Sequence, residues 1–211
     1  MEGLYIRAYN RIIASKSLNA IKLKYYKILF KKYKFPEWHV STICDRQYAL
    51  DIVIWLNCFL KNTKSVVCEI GCGLGEIIGN ISVRPKNKYG YDIDESTVAA
   101  ARLANPGAIY RVGSFENIHG MNIEVLITVN FIHEIHPDVL RAYYGYLLKN
   151  NHIKYIVIDC VDARGDYKYK HDGNYLFGLN NGIKAHLVKR FSERYPAASG
   201  SKRIIEVWRV S

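Results

Sequence analysis

Val66-Val67-Cys68-Glu69-Ile70-Gly71-Cys72-Gly73-Leu74-Gly75 is an apolar run that takes up one acid and then breaks into three glycines at alternate positions. The run reads as a buried strand, and the glycines as a loop whose bare backbone a ligand can approach. A dinucleotide fingerprint requires G-x-G-x-x-G, and Glu76 stands three residues after Gly73, so a nicotinamide or flavin site loses its main support. Glu76–Ile81 is long enough for a short helix. Lys88-Tyr89-Gly90-Tyr91 then reads as a second strand ending at Asp92, with Ile93 and Asp94 behind it. In a strand-helix-strand unit an acid at that tip lies beside the glycine loop, where its carboxylate accepts hydrogen bonds from both hydroxyls of a ribose. The same Asp92 is equally a helix cap for Glu95–Ala104.

Further strands follow the same alternation. Ile109-Tyr110-Arg111-Val112 leads into Gly113-Ser114-Phe115-Glu116, and Glu124–Val129 opens into Asn130-Phe131-Ile132-His133-Glu134-Ile135-His136. Pro137 suits the first turn of a helix through Lys149, and Tyr155–Asp159 is a fifth strand. Strand and helix alternating across 65–160 predict right-handed crossovers and a parallel sheet covered on both faces, with ligands at the carboxyl ends of the strands. Ala185–Phe191 and Arg203–Val210 alternate as two antiparallel strands joined by Pro196–Gly200, with a helix over Lys184–Tyr195 as the alternative. Ser41–Leu60 reads as a helix ahead of the sheet.

The spacing E-x-G-x-G-x-G over Glu69, Gly71, Gly73 and Gly75, followed by Asp92, resembles the first two motifs of class I S-adenosylmethionine-dependent methyltransferases. The resemblance covers 65–160 well and the remainder loosely. It implies a doubly wound α/β fold with a mostly parallel seven-stranded, Rossmann-like sheet, S-adenosylmethionine as cofactor and S-adenosylhomocysteine as product. It further implies that Glu69, Gly71, Cys72, Gly73, Gly75, Asp92, Ile93 and Asn130 surround the cofactor, Cys72 as a small side chain that fits the loop. The resemblance also implies that Ser114 contacts the adenine and Phe115 packs on it, although an acid is commoner in the family at position 114. By the same resemblance Arg46 is expected to salt-bridge the methionine carboxylate and Tyr48 to lid the methyl group, or both to cap and pack.

Amino-methylating members carry Asn or Asp followed by Pro-Pro and an aromatic after the fourth strand. Asn130-Phe131-Ile132-His133 lacks that signature, so a hydroxyl acceptor is favoured, and it needs a general base. His133 is the first candidate, with Glu134 and His136 beside it; packing beneath the cofactor is its other role. Lys170-His171-Asp172-Gly173-Asn174-Tyr175 resembles a histidine-aspartate stretch in bacterial methyltransferases of surface-polysaccharide gene clusters. That makes His171, oriented by Asp172, an alternative base or sugar contact in a long loop from Cys160 to Gly182 that also holds Arg164, Tyr167 and Tyr169. A zinc helix of the H-E-x-x-H type fails because Pro137 stands where the second histidine is needed. A magnesium ion on Glu134, Asp159 and Asp162 is possible chemistry but not favoured. The expected acceptor is a saccharide hydroxyl of a surface glycan or its precursor. An RNA acceptor is the rival, and so is a cofactor-binding scaffold without turnover.

The chain has 211 residues, 49% hydrophobic, and a net charge of +11. No apolar run of about 18 residues is present, and the N-terminus lacks a secretory signal's apolar core, so a cytoplasmic protein is expected. Five cysteines, at 44, 58, 68, 72 and 160, form no C-x-x-C knuckle and suggest neither a disulfide framework nor a zinc ribbon. Residues 1–40 hold nine Lys or Arg against Glu2 and Glu37, a net of +7. They are read as a basic helical extension ahead of a single domain over 41–211. From Lys16 to Lys34, apolar Leu18, Ile21, Tyr25, Ile28 and Leu29 recur at helical spacing beside Lys24, Lys27, Lys31 and Lys34. Such a helix packs on the sheet domain with a solvated lysine face, lies peripherally on the inner face of a membrane, or binds nucleic-acid phosphates.

Overall fold

Strands form where the apolar runs were placed, and they fall into two compact units, Met1–Gly113 and Ser114–Ser211. The computed structural model describes residues 7, 10–11, 13–161, 167–177, 183–191, 195–196 and 202–211.

In the first unit, helices α1 (Lys16–Tyr33) and α2 (Gln47–Phe59) precede strand β1 (Val67–Ile70), which is buried throughout. Strand β2 (Lys88–Asp92), helix α3 (Glu95–Ala104) and strand β3 (Ile109–Val112) follow. The strands are parallel in the order β3-β2-β1, with Val67 opposite Lys88 and Asp92 opposite Val112. Asp94, not Asp92, caps α3: its carboxylate accepts from Thr97 N at 2.9 Å. The capping alternative for Asp92 is thereby removed.

Two local expectations are corrected. The helix expected from Ser41 begins at Gln47, because Asp45 accepts from the Thr42 amide (2.7 Å) and hydroxyl (3.0 Å) and closes a separate 3-10 turn over Ile43–Asp45. Glu76–Ile81 is not a helix but a turn ending in a 3-10 segment, Ile78–Asn80. Its last amides bond locally, Gly79 N to Gly75 O (2.9 Å) and Asn80 N to Ile77 O (3.0 Å), and the carbonyls that end the turn find tertiary partners. Lys88 Nζ donates to Gly79 O (2.9 Å) and Ile81 O (3.0 Å), and Asn57 receives Ser82 N (2.7 Å) while donating to Asn80 O (3.2 Å). Burial lowers the Lys88 pKa to about 8.

Packing on α1 also differs from the periodicity reading. Its buried side is Asn19, Tyr26 and Leu29, and Tyr26 and Leu29 cluster with Phe35, Leu74 and Ala100. Leu18, Ile21, Tyr25 and Ile28, expected on the apolar packing face, are exposed. The anchor is polar. Tyr26 OH donates to Glu76 Oε1, Lys22 Nζ pairs with the same oxygen at 2.7 Å, and Ile43 N donates to Oε2. Asn105 Nδ2 reaches Leu74 O (2.6 Å), Tyr26 OH (2.8 Å) and Glu76 Oε1 (3.1 Å). Burial, reinforced by the Glu76 charge, pushes the Tyr26 hydroxyl far above its ordinary pKa, so it remains a donor.

In the second unit, strand β4 (Asn122–Thr128), helix α4 (Pro137–Asn150) and strand β5 (His152–Val161) form a parallel unit in which Leu126 lies opposite Ile156. Pro137 stands in the first turn of α4, as its fixed φ and missing N–H favour. A short helix α5 (Gly173–Phe177) leads to strands β6 (Ala185–Arg190), β7 (Tyr195–Pro196) and β8 (Lys202–Val210). Here the order is β4-β5-β8-β6. β8 runs antiparallel to both β5 and β6, so the strand reading of 185–190 holds over the helix. The joining residues 197–200 lie outside the described residues, although Pro196 itself pairs with Lys202. A Cβ at Gly173 would meet Glu206 Oε2 at 2.1 Å and Trp208 Nε1 at 2.7 Å, so α5 docks only because this residue has no side chain.

Replacing the buried Glu76 carboxylate strands Lys22, the Ile43 amide and the Tyr26 hydroxyl together. Glu76→Ala is expected to lose about 3 kcal/mol of stability in urea unfolding.

Candidate functional site

The first unit supplies a ligand cradle. Gly71, Gly73 and Gly75 take φ values of 68°, 53° and 78°, a left-handed region that side chains other than glycine occupy only under strain. Tyr110 fills the space beneath Gly75, where a Cβ would come within 2.1 Å of its hydroxyl. Cys72 is buried and its thiol packs toward Gly90, as expected of a small side chain in the loop. Its amide donates to Tyr91 O at 3.0 Å, which ties the loop to β2.

Asp92 sits at the tip of β2, where the sequence placed it, and holds the loop. Oδ2 accepts from Gly73 N at 2.9 Å and Oδ1 from Asp94 N at 3.1 Å. An ionised carboxylate has about four acceptor positions, so both oxygens retain capacity for a ligand's hydroxyls. Ile93, next in sequence, is 78% exposed, and Val112, register partner of Asp92, is exposed as well. A carboxylate bordered by two bare apolar side chains fits a sugar diol carrying a flat base. Glu69, expected among the residues around the cofactor, holds the loop as well. It is buried and accepts from Ile78 N at 2.9 Å, so it clamps the far end of the loop. Burial raises its pKa to about 8, against the Ile78 hydrogen bond and with the Asp92 charge adding to the rise.

His39 was missed in the sequence, where Pro36-Glu37-Trp38-His39 carries no motif. Its ring lies on the glycine loop: a Cβ at Gly73 would be 2.7 Å from His39 Nδ1. Burial lowers its pKa, with Asp92 and Asp94 opposing. Arg46 Nη2 donates to Trp38 O at 2.7 Å and so supports the turn that carries His39. Tyr48 is buried in the first turn of α2.

The second unit has a cluster of titratable groups of its own. Asn130 has φ 71°, and its amide donates to Asp159 Oδ1 at 2.9 Å. Asp159 Oδ2 meets Arg203 Nε at 3.2 Å, both residues buried, and Arg203 too was unforeseen. His133 is buried in the 3-10 turn Ile132–Glu134, with its ring edge-on to Tyr167 at 4.2 Å. Burial lowers its pKa, Asp159 opposing and Arg203 assisting, so it is neutral at pH 7. Glu134 is exposed, its Oε1 4.0 Å from His133 Nε2. His171 is buried and its Nε2–H donates to Ile132 O at 2.7 Å. The carbonyl of Ile132 thus orients His171, whereas Asp172 accepts from Asn174 N at 2.8 Å. Burial lowers the His171 pKa as well.

Phe115 is fully buried, its ring stacked on Tyr143 at 4.8 Å, and it supports its loop from within instead of presenting a face to adenine. Ser114 N donates to Asn117 Oδ1 at 2.8 Å. Asp162 and Arg164 lie outside the described residues. Among the described residues no group of three or more His, Cys, Asp or Glu is arranged to hold a metal ion, and Asp159 is committed to Arg203 and Asn130.

Neither a family model nor a curated protein matches the sequence. Solved structures do match the fold. Magnesium protoporphyrin IX methyltransferase (ChlM) from Synechocystis PCC 6803, solved with bound SAH, aligns with a TM-score of 0.62 at 15% identity over 92% of this chain and 100% of its own. The chain has the Rossmann-like methyltransferase fold. A TehB-like SAM-dependent methyltransferase from Corynebacterium glutamicum aligns at 0.55 and 15% identity over 74% of this chain and 86% of its own. WbdD aligns at 0.58 and 17% identity over 83% of this chain and 42% of its own.

Glu69 generates a pH test. Its carboxyl stays protonated in the folded chain up to about pH 8 but ionises near 4.5 when unfolded, so its contribution to stability falls as pH rises between those values. Glu69→Gln keeps an acceptor for Ile78 N and removes the titration. The melting temperature of the variant relative to the native chain is expected to climb steadily from pH 5 to pH 8.

Proposed function

We propose that this chain is an S-adenosylmethionine-dependent O-methyltransferase acting on a saccharide hydroxyl of a surface glycan or its precursor. The observation that carries the reading is the loop of three left-handed glycines locked by Asp92 beside exposed Ile93 and Val112, in a fold shared with methyltransferases solved with SAM or SAH. S-adenosylmethionine supplies an electrophilic methyl group when bound. The residues do the rest. Asp92 accepts the ribose hydroxyls, the glycine backbone admits the methionine portion, and Ile93 with Val112 borders the adenine. Displacement at the methyl carbon is chiefly a matter of alignment, worth up to about 7–11 kcal/mol, after which the acceptor hydroxyl must lose its proton. His133, kept neutral by burial, accepts that proton on a ring nitrogen as the new carbon–oxygen bond forms. His171 braces the backbone at Ile132 and acts as a positioning residue. The saccharide assignment rests on the His171-Asp172 stretch and on the absence of an amino-methylation signature after β4.

RNA is the second reading, favoured by the +7 of residues 1–40. It predicts an acceptor affinity that falls steeply with salt, whereas a glycan acceptor predicts a shallow dependence.

Calorimetric titration with S-adenosylmethionine and S-adenosylhomocysteine, with a nicotinamide nucleotide as control, is expected to give micromolar binding of the adenosyl ligands alone. No binding would overturn the reading. Asp92→Ala should weaken that binding by about 1.5–3 kcal/mol. His133→Ala should leave cofactor affinity nearly unchanged and lower turnover on glycan acceptors by about 10²–10⁴; native turnover would move the base elsewhere.

A further inference from the structure

Helix α1 buries one side and leaves a second apolar strip bare. Leu18, Ile21, Tyr25 and Ile28 are 50%, 66%, 39% and 62% exposed. At 100° per residue they occupy a strip of about 80° along a helix roughly 27 Å long. Among the described residues of its own unit none covers the strip. Tyr26, Leu29 and the Glu76 junction already hold the adjoining side of α1 in place. Single exposed apolar residues need no explanation, but four large ones in register on one helix mark a contact surface.

Charge identifies the kind of contact. α1 has six lysines and no acid. Exposed Lys24, Lys27 and Lys31 run along one border of the strip, and exposed Lys32 falls within it near its end. We propose that α1 lies in the plane of an anionic lipid bilayer, with Leu18, Ile21, Tyr25 and Ile28 inserted among the acyl chains near the headgroups and the lysines on the phosphates. Apolar insertion and lysine–phosphate attraction act together in helices of this kind. Among the described residues no helix is long and apolar enough to cross a membrane, in keeping with a helix that lies on one. A nucleic acid would use the lysines but leave Ile21 and Ile28 in water, having only Tyr25 to stack on. A second copy meeting strip to strip across a two-fold axis would oppose the lysine borders. The inference is independent of the acceptor, and it places the enzyme where a lipid-linked substrate would be found.

The test is cosedimentation of the full chain with vesicles of phosphatidylcholine alone or with a third phosphatidylglycerol. Melting temperature and S-adenosylmethionine binding serve as controls that each variant folds. Binding should require phosphatidylglycerol. Lys24→Glu/Lys27→Glu/Lys31→Glu should lower the partition coefficient by at least about a hundredfold. Ile21→Ser/Ile28→Ser should lower it by roughly tenfold or more, and low salt should not restore it. Equal binding to neutral vesicles, or native binding by the Ile21/Ile28 variant, would overturn the proposal. So would a dimer that this variant dissolves without any vesicle binding by the native chain, which would assign the strip to a second copy. RNA retention without vesicle binding would assign the lysines to nucleic acid and likewise overturn it. Failure of S-adenosylmethionine binding with vesicle binding intact would count against the proposed function alone.

Discussion

One buried carboxylate organises the first unit. Glu76 receives a tyrosine from α1, a lysine from α1, a backbone amide from the turn before α2 and an amide side chain from the end of α3. A charge removed from water is tolerated only when such partners surround it, and once surrounded it fixes them all. The residue that breaks the dinucleotide fingerprint therefore serves as the junction through which the N-terminal helix, the glycine loop and α3 share one geometry. Asn105 extends the junction to Leu74 O inside the loop itself, and Tyr110 OH donates to Asn105 O at 2.8 Å.

The same economy governs the site. Asp92 and Glu69 each hold loop backbone, one from the strand tip and one from the strand's interior. Preorganised acceptors and dipoles lose little on binding. In the second unit the Asp159–Arg203 pair and the His171–Ile132 bond fix the turn that presents His133. Burial keeps both histidines uncharged at neutral pH, the form in which an imidazole accepts a proton.

Much of this was legible in the sequence, and the readable part has a common character. The strands β1 to β5, the α3 and α4 spans, the loop glycines and the acid at the tip of β2 depend on local pattern: apolar runs, turn residues, a proline in a first turn. Readings failed where tertiary partners replaced local ones. Glu76–Ile81 has helical length, yet the Ile78 amide goes to Glu69 and the closing carbonyls to Lys88 and Asn57, so tertiary partners end the segment as a turn. Phe115 has the position of a ligand-facing ring, yet Tyr143 takes its face. His39 carries no motif because its place against Gly73 arises from the turn that joins α1 to α2.

The N-terminal helix draws the same line most sharply. Periodicity determined by itself that Lys16–Tyr33 is helical and that it carries an apolar strip beside lysines. It could not decide which side would be buried, since Asn19 and Tyr26 rank below Ile21 and Ile28 on any hydrophobic count. Tertiary structure chose the polar side, because a buried tyrosine hydroxyl with a carboxylate partner is stabilised by a charge-assisted hydrogen bond that no count of apolar residues records. The local code therefore set the alternation, the loop and the acid. Which side chains meet in the interior, and which apolar residues remain outside it, depended on partners tens of residues away.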